Sequence, residues 1–309
     1  MIVTVTPNPS IDRTLRIPPL VRGQVIRAVS ATAEAGGKGI NVARALALHG
    51  EATVAVAPLS AASAVAFTAL LGAAAPLDAV PVAGPARVNV SLVEDDGMVT
   101  KVNEPGPELS PAEVDAILAR VADLAKGASW VAGCGSLPPG APPDLYARLA
   151  ARLPAGVRVA IDADGVALRE AARAGVELLK PNLAELEGLV GGKLPTLGAV
   201  IEAGRALVAG GIAGVLVSLG ADGAAYVNAD GATHAEARID DLVNTVGAGD
   251  ALLAGFLAAG GGHAGLRTAV SWSVAACRSP GTQMRVVAAR DAEAVRVHDV
   301  LRADRPLAA

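Results

Sequence analysis

Short apolar runs that end on a small or charged residue recur along the chain. They cover residues 130–133, Arg158–Asp162, residues 178–180 and Gly214–Ser218. Each has the length of a strand buried on both faces. Between them lie amphipathic stretches, such as residues 111–125 and 143–152, with the spacing of helices that cover a sheet. Ser110, Pro111 and Glu113 supply a capping hydroxyl, a proline at the first helical position and an early acid. Alternation of this kind predicts an α/β fold with a mostly parallel sheet, whose ligands gather at the carboxyl ends of the strands.

Two segments break the alternation. Residues 14–33 contain Pro18, Pro19 and Gly23 among short alternating runs. In residues 87–103, Val88, Val90 and Leu92 alternate with polar residues, turn at Asp95-Asp96-Gly97, and resume at Val99 and Val102. That is a hairpin pattern. Together the segments predict a small discontinuous β lid, from about 12–34 and 86–104, on one domain spanning residues 1–309. Residues 52–77 carry no charge and are long enough to span a membrane, but Pro58, Gly72 and Pro76 interrupt them. They read as a buried strand (52–57), a turn and a buried helix (Ala61–Leu71). The N-terminal MIVTVT has no basic leader and reads as a first strand.

Composition sharpens this picture. Of 309 residues 52% are apolar but only 2% aromatic, so the core must be built from Ala, Val, Leu and Ile. The formal net charge of -4 argues against a general nucleic-acid binder, and a phosphorylated ligand would need a local basic cluster. Cys134 and Cys277 have no metal-ligand spacing and read as buried, reduced thiols of a cytoplasmic protein.

Four segments carry candidate chemistry. In Asn244-Thr245-Val246-Gly247-Ala248-Gly249-Asp250, small residues lead to an acid and then an apolar run, a loop entering a helix. Free N–H groups there bind anions, and an aspartate can take a proton from an attacking hydroxyl. A glycine turn with an acidic cap explains the segment alone equally well. Gly36-Gly37-Lys38-Gly39-Ile40-Asn41 is a second glycine loop opening a helix; it lacks Walker spacing but offers Lys38 and Asn41 to a polar ligand. Lys180-Pro181-Asn182-Leu183-Ala184-Glu185 follows a strand. Asn182 and Glu185 can hold hydrated Mg²⁺ near phosphates, or simply form a capping box. Ser218-Leu219-Gly220-Ala221-Asp222-Gly223 closes another strand in a tight turn with room for a ligand.

In this order, and with the opening Thr6-Pro7-Asn8-Pro9-Ser10-Ile11-Asp12, these segments resemble the PfkB (ribokinase-like) carbohydrate kinase family over residues 1 to about 282. TPNPSID, GGKGIN, Val102-Asn103-Glu104-Pro105-Gly106-Pro107 and Gly135-Ser136-Leu137-Pro138-Pro139-Gly140 point within it to kinases of ketohexose phosphates. The resemblance implies a ribokinase-like three-layer α/β/α sandwich with a small β lid, often used for homodimerisation. It implies ATP and Mg²⁺, with fructose 1-phosphate converted to fructose 1,6-bisphosphate. Tagatose 6-phosphate or fructose 6-phosphate is the alternative acceptor, and a non-catalytic sugar-phosphate sensor a distant one. By motif match Asp250 is the base, with Gly247, Ala248, Gly249 and Asp250 forming an anion hole. Asp12, Gly37, Lys38 and Asn41 meet the sugar phosphate. Arg87, with Lys101 and Ser136, holds its phosphate. Lys180, Asn182, Glu185, Ser218, Gly220, Gly223 and Val246 border the nucleotide, with Glu185 acting on Mg²⁺ through water.

Overall fold

A computed structural model describes residues 1–281, 284–298 and 301–308. Among these, the main sheet runs in the order Val295–His298, Gly231–Ala237, Ala224–Asn228, Gly214–Ser218, Leu178–Leu179, Arg158–Asp162, Trp130–Cys134, Ile2–Val5, Thr53–Leu59, Leu77–Pro81. From Gly214–Ser218 to Leu77–Pro81 all neighbours are parallel; the other three strands join antiparallel at one edge. The chain builds outward from Ile2–Val5 on one side, then returns to its other side at Trp130–Cys134. That reversal leaves a crevice at the carboxyl ends, where ligands bind in sheets of this kind.

The strands are buried on both faces, and their alternation assigns each face a partner. Val3, Val5, Val131, Val159, Ile161, Val215 and Val217 enter one core, beneath the helices Pro111–Leu124, Leu145–Arg152 and Leu197–Ala209. Ile2, Ala132, Ala160 and Leu216 enter the other, beneath Lys38–Leu48, Ala248–Ala258 and Gly262–Cys277. Small residues on this second face let Ala248–Ala258 lie deep, buried from Asp250 to Leu257. A side chain at Gly255 would come within 2.9 Å of the Trp272 ring, so glycine there sets the close approach of two helices.

The small sheet runs in the order Ser30–Gly36, Ser10–Ile17, Arg87–Glu94, Val99–Asn103. Its hairpin closes through Met98 O and Glu94 O, around the expected Asp95-Asp96-Gly97 turn. Only residues 6–9 separate the carboxyl end of the first strand from Ser10, so the small sheet starts beside the crevice. The uncharged stretch departs from expectation. Its strand runs Thr53–Leu59 and its helix Ala61–Leu71, but only Ser63, Phe67 and Leu71 of that helix are buried. The helix is a surface element whose outer face is alanine rather than charge. Among the described residues, no helix is long and apolar enough to cross a membrane.

Candidate active site

Helix Ala248–Ala258 begins at Gly247, whose φ of 77° is the left-handed conformation glycine tolerates. Asp250, in its first turn, is buried and accepts a hydrogen bond from Asn41 Nδ2 at 2.8 Å. Asn41 lies on Lys38–Leu48, so the two glycine loops, 209 residues apart, meet at this carboxylate. The close fit of Lys38–Leu48 to the first strand requires glycine: a Cβ at Gly39 would be 2.5 Å from Thr6 Oγ1 and 2.9 Å from Val5 O. Burial, then the nearby charge of Asp162, lifts the Asp250 carboxyl to about 6, against the opposing pull of Asn41, Lys38 and Lys180.

Asp162, which ends the Arg158–Asp162 strand, organises the floor. Lys38 Nζ lies 2.7 Å from Oδ1, and Lys180 Nζ lies 2.9 Å from Oδ2 at an angle unsuited to a hydrogen bond. Burial pushes the Asp162 carboxyl up, but the two lysines outweigh it and hold the pKa below its ordinary value. The Lys38 ammonium, opposed by burial and favoured by Asp162, is raised. Lys180 therefore departs from the role expected of it. It is buried beneath Gly249, where a Cβ would come 3.6 Å from its Nζ, and not on the wall of the neighbouring cleft.

That cleft, of about 780 Å³, is bordered by Asn182, Ser218, Gly220, Gly223, Ala248 and Gly249, with an apolar side of Leu242, Leu252, Val270 and Cys277. It falls in the size range of small-molecule sites. Asn182 and Glu185 form the reciprocal capping box: Asn182 Oδ1 accepts from Glu185 N, and Glu185 Oε2 from Asn182 N, each at 2.8 Å. Glu185 is not on the cleft wall itself; it lines an adjoining pocket with Asn182, Ala184 and Arg169, and its charge adds to the rise of the Lys38 pKa. Val246 is not on the cleft wall; its side chain is exposed and its N–H donates to Asn244 Oδ1 at 2.7 Å. Ala248 also departs from expectation. Its N–H turns back to Thr245 O at 3.3 Å, so among the described residues the amides that the helix start leaves open are those of Gly247, Gly249 and Asp250.

A second cavity, of about 540 Å³, is lined by Asn8, Arg87, Pro105, Ser136, Pro138 and Asp164 among others. Arg87 reaches it from the small sheet. Its Nη1 donates to Glu104 O at 3.2 Å, while its buried Nε has no partner. Burial lowers the Arg87 pKa, and Asp12 and Asp164 oppose that. Asp12 accepts from Asn89 Nδ2 at 3.0 Å and from Ser10 Oγ at 2.7 Å. Gly37 leads the Lys38–Leu48 helix with φ 123°. Lys101 stands apart: paired with Ser91, it lies on the Asp12 face two residues nearer the hairpin tip, and is exposed.

Sequence reasoning passed over three residues here. Asp162 had a signal, a carboxylate closing an apolar strand. Asn8 lies within the TPNPSID segment, buried, with Nδ2 donating to Pro105 O at 3.0 Å. Arg44 had none beyond its place on the Asn41 helix, yet it is buried with Nε and Nη2 unpartnered and Nη1 3.5 Å from Asn41 Oδ1. Both cysteines are buried and free.

Two glycine-led helices sharing a buried carboxylate, beside a cleft and beneath a small sheet, define a class. The pfkB family carbohydrate kinase model matches residues 6–279, and the chain belongs to that family. It is 40% identical over 260 residues to 1-phosphofructokinase of Rhodobacter capsulatus, covering 83% of this chain and 82% of that one. Phosphofructokinase-2 from Escherichia coli, in complex with fructose-6-phosphate, superposes with a TM-score of 0.83 at 29% identity, covering 94% of this chain and 96% of that chain. The same enzyme has a tetrameric inhibited form. Arabidopsis thaliana ribokinase, at a TM-score of 0.74 and 23% identity, covers 92% of this chain and 95% of its own, and shares the fold.

Proposed function

We propose that this chain is an ATP-dependent kinase of a ketohexose phosphate, converting fructose 1-phosphate to fructose 1,6-bisphosphate. The observation that carries this reading is Asp250, buried at a glycine-led helix start and held by Asn41 from the other glycine loop. The 1-phosphofructokinase relative supports the choice of acceptor.

In this reading the 780 Å³ cleft receives ATP, and its apolar side takes the base. The sugar lies between Asp12, Gly37 and Asn41, with its phosphate toward Arg87 and Ser136. The free primary hydroxyl gives its proton to Asp250 as its oxygen bonds to the γ-phosphorus and the bond to the leaving ADP oxygen breaks. The amides of Gly249 and Asp250 face the charge that develops. Lys38, fixed by Asp162, brings positive charge to the same floor.

Mg²⁺ suits the donor set. Among the described residues no group of three or more His, Cys, Asp or Glu could cage a metal, whereas Mg²⁺ keeps its waters and needs one or two carboxylates beside phosphates. Glu185, in view of Lys38, would hold it through water, and it would neutralise phosphate charge. The whole of residues 1–309 acts as one kinase unit in this proposal, with the small sheet as its lid and as a surface for a second copy.

ADP release, measured with fructose 1-phosphate, tagatose 6-phosphate, fructose 6-phosphate and ribose in parallel, tests the assignment. Fructose 1-phosphate should give the highest kcat/KM. Preference for fructose 6-phosphate would match the acceptor bound by the phosphofructokinase-2 relative instead. Turnover of none would point to a sugar-phosphate sensor. Asp250→Ala should lower kcat by on the order of 10²–10⁴ with nucleotide binding retained.

A further inference from the structure

The C-terminal tail has no place in the chemistry above, yet it is fastened to the turn that borders the nucleotide cleft. The Gly220–Asp222 turn presents Gly220 and Ala221 to the cleft, while the Asp222 side chain is buried on its far side. Arg305 Nη2 lies 3.0 Å from Asp222 Oδ1, and the Ala308 N–H donates to Oδ2 at 2.6 Å. Arg305 Nη1 simultaneously pairs with Glu236 Oε2 at 2.6 Å, on the strand Gly231–Ala237.

The tail is held equally firmly at its other edge. Ala303 O and Arg305 O accept from Gly198 N and Leu197 N, both at 2.9 Å. These are first-turn amides of Leu197–Ala209 that would otherwise lack partners. Leu307 N returns to Pro195 O at 3.0 Å, and Leu301 and Leu307 pack on the main core. The helix is cut to fit: a Cβ at Gly198 would stand 2.7 Å from Ala303 O. Glycine at this first-turn position clears the tail's path.

We infer that the tail is a strap, and that Arg305 is a positioning residue for nucleotide binding. It braces the Leu219–Gly223 turn from behind through Asp222. The inference rests on the reading of the 780 Å³ cleft as the nucleotide site. Without Arg305 the Asp222 carboxylate is left buried beside Glu236 with its principal cation gone. The turn then loses its brace on the side away from the ligand.

Calorimetric titration of ATP and ADP into the full-length protein, with steady-state kinetics, tests this. Arg305→Met should raise the nucleotide Kd and the KM for ATP about five- to ten-fold, in the range of coupling between linked sites. The KM for the sugar phosphate and the saturated kcat should hold. Arg305→Lys should recover part of the affinity. Gly198→Leu, which displaces the strap while leaving Arg305 and Asp222 intact, should reproduce the defect if Arg305→Met does not fold. Unchanged nucleotide Kd in a folded variant overturns the strap, as does a uniform loss of kcat tracking the unfolded fraction. Failure of the unaltered protein to bind ATP or ADP overturns the reading of the cleft itself.

Discussion

At the scale of residues, the buried Asp250 carboxyl sets a pH dependence of definite sign. Its pKa of about 6 in the folded chain exceeds the ordinary 3.8. Between these values the folded protein keeps a proton that the unfolded chain has released. Stability therefore falls as pH rises through that window, and above it the ionised carboxylate is a net cost. At 1.36 kcal/mol per unit the cost is at most about 3 kcal/mol. Asp250→Asn should thus raise the melting temperature at pH 7.5, with the gain vanishing near pH 4; a destabilised variant at neutral pH would contradict it. Catalysis runs the opposite way, because a base must be ionised. The kcat/KM of the unaltered enzyme should fall about ten-fold per unit below pH 6. Arg87 tests the acceptor. A charged hydrogen bond to phosphate is worth roughly 1.5–3 kcal/mol, so Arg87→Ala should raise the sugar-phosphate KM about ten-fold or more. An unchanged KM would favour an acceptor without phosphate. Asp250 and Asn41 drew notice because each lies in a glycine motif that declares a loop, whereas Arg87, on the strand Arg87–Glu94, was singled out only through the family resemblance. Asp162 and Arg44 were not legible, because their significance is tertiary. A strand-ending aspartate becomes notable only when Lys38 and Lys180 converge on it from two other segments.

Elements whose ends carry local chemistry were the most legible. The Ser110 cap, Pro111 and Glu113 realise the full capping box at the start of Pro111–Leu124. Asn182 and Glu185 do the same for Leu183–Val190, so a pair proposed for metal work also has a local structural task. Asn182→Ala should cost about 1 kcal/mol of stability as a lost cap. What separates the roles is whether Glu185→Gln, which keeps the cap acceptor, still raises the Mg²⁺ requirement in a titration of activity. Ala61–Leu71 was legible as a helix but misjudged in depth, since alanine is at home on either side of a surface and absent charge is weak evidence of burial. Gly39 shows the reverse case, where a loop glycine is a packing constraint. Gly39→Val would drive a branched side chain into Thr6 and the Val5 carbonyl. Overpacking of this kind typically costs 1–3 kcal/mol, and it would move Asn41 away from Asp250. Thermal melts and kcat should fall together; a variant with normal stability and turnover would refute that coupling.

For the whole molecule, the parallel part of the main sheet followed from apolar runs except at Leu77–Pro81, and its antiparallel edge did not. Gly231–Ala237 and Val295–His298 carry Thr, His, Glu and Arg, and they enter the sheet because a neighbouring strand and helix Gly262–Cys277 receive their few apolar residues. The small sheet has a division of faces with a larger consequence. Cross-strand pairing sets Asp12 beside Asn89, toward the site, and Ile11 beside Val88 on the opposite face. That second face continues through Arg13, Val90 and Val102, then Leu15 and Leu92, and these residues are only partly covered or exposed. Side chains alternate strictly along a strand, so the same register that presents Asp12 inward must turn Leu15, Val90 and Leu92 outward. An apolar sheet face of this kind is stabilised by covering, and the proposed cover is the same face of a second copy, related by two-fold symmetry. Light scattering of the unaltered protein should then give twice the protomer mass of 30.5 kDa. Leu92→Glu would bury a charge in that apolar interface, and it should shift the mass to that of the protomer. Ser91→Glu, one position along and on the opposite face, should leave the dimer intact. A protomer mass for the unaltered chain at micromolar concentration, or equal dissociation by both variants, would remove the pairing and leave that face to solvent.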